Sequence, residues 1–525
     1  MVFTDLLHFF AAEEPAVEED ISEDELDLAE KLFFGIIAFV WLIYSWETFL
    51  SLRQRKVYQK NPTVPVDLET VMDAETFQKA RLYEWDKCSF SLLKDFISQI
   101  ITTVLLVWGM LPYAWEISGE TFRRGLIIAN VDPTPFLTIH DPDDFEVEYD
   151  EGTFLGALNI HGEIGQSIVC LLLMSVFSRL IDLPFSIYKT FVLEERHGFN
   201  RQTPWFFAKD KLKAFIVDLV ITVPITVGVL YIIHAGGELF FVYLWGFCCV
   251  VSLFLMAIYP SVIAPLFDKY TVLPEGPLKV EIEAMASKVK FPLKKLYIVE
   301  GSKRSAHSNA YFYGLFSNKR IVLYDTLVAD YTPLNKADEG KEAKGPEKKL
   351  DKDKENSAES ETNVDSEEAP KKTKGCKNFE VVAILCHELG HWKKSHILFH
   401  IVFGQVNLFL MFALFAMLYR QPLFFYAFGF IDEQPLLISL VIILQFVFMP
   451  YHALLGFLMS VVSRKFEFQA DRYAAELGHA SGLRSGLVKL NLDNLNFPIY
   501  DWMYSAWHHS HPTLLQRLDA LKKFE

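Results

Sequence analysis

Hydrophobic positions collect into seven long runs, at residues 32–52, 90–113, 164–184, 214–234, 239–259, 398–418 and 434–459. Each approaches or exceeds the ~20 residues that an α-helix needs to cross a bilayer, so the pattern predicts seven transmembrane helices. The polar stretches between them alternate in sign. Residues 53–88 hold seven Lys or Arg, residues 114–163 include the acidic HDPDDFEVEYDEG, residues 185–213 are basic again, and HAGGE is a tight turn. Basic loops mark the cytoplasmic side, which places the N-terminus in the lumen and the C-terminus in the cytoplasm. Glu47, Arg179, Asp182 and Asp218 lie inside or at the ends of the runs. Charges facing lipid are costly, so these residues either pair between helices or line a wet cavity.

Two stretches break the apolar pattern. Residues 335–374 carry 22 charged side chains in 40 positions, with one Leu and one Val, and such a segment cannot bury enough surface to offset its ordering entropy. It reads as a disordered insertion, and the acidic start EEPAVEEDISEDELDLAE reads the same way. That start lacks the basic region of a signal peptide. These blocks reconcile a 525-residue chain that is 51% hydrophobic with a formal net charge of -16. The six cysteines are scattered without a CxxC spacing and read as buried small hydrophobes rather than as a disulfide framework.

Candidate chemistry begins at ILCHELGHWKKSHI, residues 384–397. Its HELGH matches the H-E-x-x-H pattern of zinc proteases, which arises by luck in roughly a few per cent of chains of this size and His content. On a helix, His387 and His391 share one face and reach one Zn²⁺, while Glu388 stands beside the metal as a general base. Lys394 and Ile397 stand where a metzincin has Gly and His, which excludes that class. His396 and His400 fall off the ligand face and read as interfacial histidines. A catalytic zinc needs a third protein ligand. The chain leaves His391 through the run 398–418, returns through 434–459, and emerges at SRKFEFQADRYAAELG on the same side of the membrane. Glu467 is therefore the expected third ligand, and Asp471, one turn on, the acceptor that orients a ligand histidine.

Ahead of the insertion, KKLYIVEG reads as a strand and HSNAYFYGLFSNKRIVLYD as two β runs, 309–316 and 320–325, around a Ser-Asn-Lys turn. An edge strand there would take an extended peptide by strand addition, with Asn309 bonding its backbone. A plain hairpin with Asn309 in its turn fits the pattern equally well. Near the end, MYSAWHHSHPTLLQRL gathers His508, His509, His511 and Arg517. A His or Arg beside the metal would stabilise the oxyanion of a tetrahedral intermediate.

Taken together, YSWETFLSLRQR, VLEERHGFNRQT, IAPLFDKYTVLPEG, VEGSKRSAHSNAYFYGLF, HELGHW, SRKFEFQAD and WHHSHPTLLQRL resemble the Ste24-type CAAX prenyl proteases over most of the chain. The resemblance implies a gluzincin fold spliced into seven helices around a water-filled chamber. It implies one zinc on His387, His391 and Glu467, with Glu388 as base. It matches Asn309 to the substrate-strand position and His511 and Arg517 to the C-terminal active-site pair. The implied substrates are prenylated CAAX proteins, which lose a C-terminal tripeptide and in some members receive a second, upstream cut. The long acidic N-terminus and the expanded loop NVDPTPFLTIHDPDDFEVEYDEG depart from the family pattern. The final KKFE resembles a dilysine retrieval signal, which points to the endoplasmic reticulum membrane, with the inner nuclear membrane as a further location; a chance lysine pair ending a helix is the alternative reading.

The expected fold is mainly α and polytopic, with a small β element in a cytoplasmic protease domain. Its parts are an acidic luminal tail (1–31), spans one to five (32–260), a substrate-strand part (261–333), the charged insertion (334–375), the HExxH helix (376–397), spans six and seven (398–459) and a third-ligand part (460–525). Membrane lipid and protein substrates are the expected partners, and nucleic acid is not. Three other readings stand beside this one: a quality-control protease acting on unprenylated chains, a seven-span transporter, and a non-catalytic scaffold.

Overall fold

The computed structural model describes residues 22–65, 68–69, 72–129, 131, 162–314, 318–329 and 374–524. The first 21 residues, the expanded loop over 132–161 and nearly all of the charged insertion lie outside the described residues.

Long helices dominate, in chain order α1 (Glu23–Lys60), α2 (Ala74–Val107), α3 (Met110–Ile128), α4 (Glu163–Tyr188), α5 (Pro204–Ala235) and α6 (Phe240–Ile258). The acidic start is helical from Glu23, against the expectation of disorder for that part. Ser22 accepts from the Glu25 backbone N–H while the Glu25 carboxylate accepts from the Ser22 N–H, a capping box that satisfies two orphan donors. Glu23, Asp24 and Glu25 also lie in the first turn, where negative charge complements the helix dipole. Helix α2 stops at Gly109, whose left-handed φ of 74° reverses the chain into α3.

Five helices are long and apolar enough to cross a membrane, at Ala74–Val107, Glu163–Glu194, Pro204–Ala235, Gly237–Phe267 and His396–Leu418. A bent pair, Leu436–Val447 with Met449–Asp493, makes a sixth if it counts as one span. The described residues thus carry five or six apolar spans. The first predicted run lies inside α1, a continuous helix of 38 residues that falls short of the same apolarity. The run 434–459 is broken, with a 55° bend. A π-helical turn at Ile442–Val447 precedes the bend and Pro450, which has no N–H to give, follows it.

Charges in the runs are paired. Arg179 bonds Asp218 (2.5 Å), Lys94 bonds Asp182 (2.8 Å), and Glu47 accepts from Trp507 Nε1 (2.6 Å) and lies 3.1 Å from His508 Nε2. The Glu47 contacts and a two-bond Arg53–Asp501 pair (3.0 and 2.8 Å) fasten the C-terminal segment to α1. All six cysteines are free.

The protease part is built on a four-stranded sheet of β1 (Tyr270–Val272), β2 (Leu293–Val299), β3 (Ala310–Tyr313) and β4 (Lys319–Tyr324), in the order β1-β2-β4-β3. β2 and β4 are parallel and the other pairs antiparallel, which leaves β3 at an edge, as the strand reading expects. Ile298, Ile321 and Leu323 from the sheet bury against Ile282 of α7 (Pro277–Lys288) and Val381 and Leu385 of α8 (Asn378–Lys393). Glu380 starts α8 by accepting from the Lys377 N–H (2.7 Å). Ser395, at a left-handed φ of 60°, separates α8 from the span α9 (His396–Leu418). The chain returns through α10 (Met449–Ala474) and continues as α11 (Ala480–Asp493), α12 (Trp502–His508) and α13 (Leu514–Leu521). The expected out-and-back hairpin is present, and it lays α10 along α8.

Candidate metal centre

Gly390 sets the approach of the two ligand helices. A Cβ there would lie 2.9 Å from the Ala470 Cα and 3.0 Å from its carbonyl oxygen, closer than real Cβ atoms tolerate. Only a residue without a side chain lets α8 and α10 pack backbone to backbone. That contact brings Glu467 to the face of α8 that carries His387 and His391.

The three side chains converge. His387 Nε2 and His391 Nε2 are 3.1 Å apart, His391 Nε2 is 3.3 Å from Glu467 Oε1, and His387 Nε2 is 3.5 Å from Glu467 Oε2. Tetrahedral zinc with Zn–N bonds of about 2.0–2.1 Å holds neighbouring ligand atoms about 3.3 Å apart, so the donor set has the spacing of a metal centre. Among the described residues this is the one such His–His–Glu group, and His387 and Glu467 are buried. The buried Glu467 carboxylate is ringed by donors that can give up a proton, with His387 Nε2 3.5 Å and His511 Nδ1 2.9 Å from Oε2, so the group presents nitrogen and oxygen lone pairs to one shared point.

The electrostatics agree. Burial and Arg517 push the His387 imidazole down, but Asp471 and Glu467 outweigh them and raise it to about 9. Burial would raise the Glu467 carboxyl, yet His387, His391 and His511 hold it far below the usual carboxylate range. The pocket therefore calls for positive charge, as a proton or a metal ion.

The surrounding side chains fix the ligands. His387 Nδ1 lies 2.8 Å from Asp471 Oδ1, so Nδ1–H donates there and Nε2 presents its lone pair to the centre. Arg517 forks Asp471 through Nε (2.8 Å) and Nη2 (2.6 Å), which leaves Nη1, 3.5 Å from Glu467, facing the site. His391 Nδ1 meets His396 Nδ1 at 3.0 Å, and His396 Nε2 meets Gln469 Oε1 at 2.9 Å. His396 also stacks on Phe466 at 4.0 Å and is buried. The interfacial reading of His396 is thus corrected. The left-handed Ser395 resets the helical phase, so counting along α8 misplaces every residue after it. Gln469 and Phe466 went unnoticed in the sequence, although both lie in the FEFQAD motif.

The remaining predicted residues divide. His511 is largely exposed and its Nδ1 is 2.9 Å from Glu467 Oε2. His508 and His509 turn away, His508 to Glu47 and His509 to Tyr500 and Tyr504. Glu388 is half-buried, and burial raises its carboxyl above the ordinary glutamate value. A cavity of about 250 Å³ is lined by Glu388, His391, Glu467 and His511 together with Tyr311 and Phe312 of β3. Asn309 stands immediately before that strand. Its Oδ1 accepts from the Ala310 N–H (2.8 Å), and its backbone oxygen accepts from Tyr324 (3.0 Å).

A group of ligand side chains on two packed helices, faced by an edge strand and followed at once by a membrane helix, defines an integral-membrane metalloprotease. Comparison with known proteins places it further. Residues 54–269 match the family described as CAAX prenyl protease N-terminal, five membrane helices, and residues 273–525 match peptidase family M48. The chain is 50% identical over 498 residues to a human CAAX prenyl protease 1 homolog, covering 94% of this chain and 96% of the relative. It is 33% identical over 493 residues to CAAX prenyl protease 1 of Saccharomyces cerevisiae, covering 91% and 92%. The crystal structure of S. mikatae Ste24p superposes with a TM-score of 0.72 at 32% identity, covering 93% of this chain and 98% of that one. The chain belongs to the CAAX prenyl protease family, and it is a membrane metalloprotease of that type. The transporter and scaffold readings lose their ground.

Proposed function

We propose that the protein is a zinc endopeptidase that removes the C-terminal tripeptide from prenylated CAAX proteins. The observation that carries this reading is the cavity shared by Glu388, the metal ligands and edge strand β3. His387, His391 and Glu467 would hold one zinc per chain, with Asp471 and Arg517 fixing the His387 ring. A zinc there would supply Lewis-acid polarisation of the scissile carbonyl and acidify water.

The chain's own residues do the rest. β3 offers unpaired edge N–H and C=O groups to an extended peptide, and Asn309 holds the entry to that strand and contacts the substrate backbone. Glu388 takes the proton of the attacking water and passes it to the leaving amine, so that the products are a carboxylate and a free tripeptide. His511 and the Nη1 of Arg517 face the developing oxyanion. In this reading α1 makes the seventh span, and the basic loops at 53–88 and 185–213 put the protease part on the cytoplasmic or nucleoplasmic side. The proposed location is the endoplasmic reticulum membrane and the inner nuclear membrane. An upstream second cut would use the same site.

A side-by-side assay on farnesylated and unmodified versions of one CAAX peptide tests the reading. Zinc-dependent release of the tripeptide from the farnesylated form is expected, abolished by a chelator and restored by zinc. Equal cleavage of both forms would instead support general quality control at this site.

A further inference from the structure

Two large cavities outside the metal centre meet at one place. The first, of about 810 Å³, lies among the spans and is walled by apolar side chains including Leu111, Leu171, Met174, Phe215, Leu437 and Val441. Its rim residues Leu180, Leu183 and Leu212 are exposed, so the cavity is open along the flank of those spans. The second, of about 880 Å³, is lined largely by polar and charged groups and sits at the end of the same spans, where the loop 185–213 is basic. Ser186 and Lys211 line both cavities.

Most charges here are already spoken for. Asp182 pairs with Lys94, Arg179 with Asp218, and Arg304 with Asp210 and Asp268. Lys87 pairs with Glu84, and Glu194 accepts from Tyr83. Two cations differ. Lys189 and Lys211 line the polar cavity without a bonded carboxylate among the ion pairs of the described residues, although Glu194 feels Lys189 through space and Asp95, which accepts from Ser91 (2.9 Å), lines the same cavity. Lys211 meets the Ser186 hydroxyl (3.4 Å) and the Phe207 ring (5.4 Å), and it acts on Asp182 through space without forming an ion pair with it.

We infer that this joined cavity holds an anionic phospholipid of the surrounding membrane, acyl chains in the apolar part and phosphate between Lys189 and Lys211. Charge complementarity selects this occupant: basic pockets between spans at the membrane edge bind acidic headgroups, and each cation near such a surface contributes measurably. A neutral isoprenoid has no group for the lysine pair, and a basic peptide is repelled by it. The lateral opening lets a bilayer lipid enter without crossing the protease part.

The test uses the full chain, delipidated in detergent and then offered dioleoyl phosphatidylserine or dioleoyl phosphatidylcholine, with bound lipid counted by native mass spectrometry. Phosphatidylserine should be retained at least tenfold better than phosphatidylcholine. K189Q/K211Q should lose that preference while its zinc content and peptide cleavage in detergent stay at wild-type levels, and K189R/K211R should keep it. Equal retention of the two lipids, or a preference unchanged in K189Q/K211Q, would overturn the inference. So would displacement of phosphatidylserine by farnesyl-cysteine methyl ester, which would make the cavity an isoprenoid site. If K189Q/K211Q fails to fold, loss of the preference in the single K211Q variant decides for the inference, and its retention decides against it.

Discussion

Glu388 and Glu467 are separated by their roles, and single substitutions tell them apart. Glu467 spans both histidine Nε2 atoms, so Glu467→Ala should lose most of the bound zinc while the protein stays folded, read by metal analysis and circular dichroism. Glu388→Ala should retain zinc and bind a prenylated peptide. Its cleavage rate should fall about 10²–10⁴-fold, the usual contribution of a positioned acid–base group. Zinc loss in that variant would make Glu388 a ligand instead. Its pH dependence follows from the sign of the shift. Burial raises the carboxyl above its ordinary 4.5, and only the ionised form accepts a proton. Activity should therefore fall as pH drops, with the midpoint of the acid limb of kcat/KM above 4.5. Much of this was legible, because H-E-x-x-H and E-x-x-x-D put side chains on one face through helical periodicity alone. Arg517's fork onto Asp471 was not, since 46 residues separate the partners and only the folded chain joins them.

Helix α8 depends on what it packs against as much as on what it carries. Gly390→Ala puts a methyl group into the Ala470 backbone, so it should spread α8 from α10 and lower zinc occupancy several-fold. Restoring room from the other side addresses only the side-chain part of the clash, whose nearest Ala470 atoms are backbone. Gly390→Ala/Ala470→Gly should therefore recover occupancy in part, and full recovery would show that the Ala470 methyl alone sets the spacing. Elements were read well where one periodicity ran uninterrupted, as in His396–Leu418, which begins two residues ahead of its predicted run. They were misread where a local device intervened. The capping box at Ser22 was visible as S-x-x-E but was outweighed by the surrounding charge. Pro450 was visible too, but a hydropathy window does not register the N–H it lacks.

For the molecule as a whole, the charged insertion is hung from a single stitch. Cys376 donates to the Leu327 carbonyl (2.6 Å) and accepts from the Ala329 N–H (3.0 Å), so the chain leaves and re-enters the protease part at one point. Deleting residues 338–372 should therefore leave zinc content and peptide cleavage near wild type, since neither end of the segment has to move. A loss of activity on deletion, with zinc retained, would assign the segment a regulatory part. Domain order was legible from composition, whereas the return of the C-terminal segment to α1 through Arg53–Asp501 and Trp507–Glu47 rests on contacts more than 440 residues apart in sequence.

Ser395 has a further consequence. Only this one left-handed residue and Lys394 stand between the ligand helix and a span, and Glu467 lies about two turns beyond the end of the predicted run 434–459. In the proposed orientation the cutting centre is thereby tethered at a set height above the bilayer. Such an enzyme measures as well as cuts: a scissile bond held by a lipid anchor at that height is offered to it continuously, while an identical sequence floating free must find the same altitude by chance.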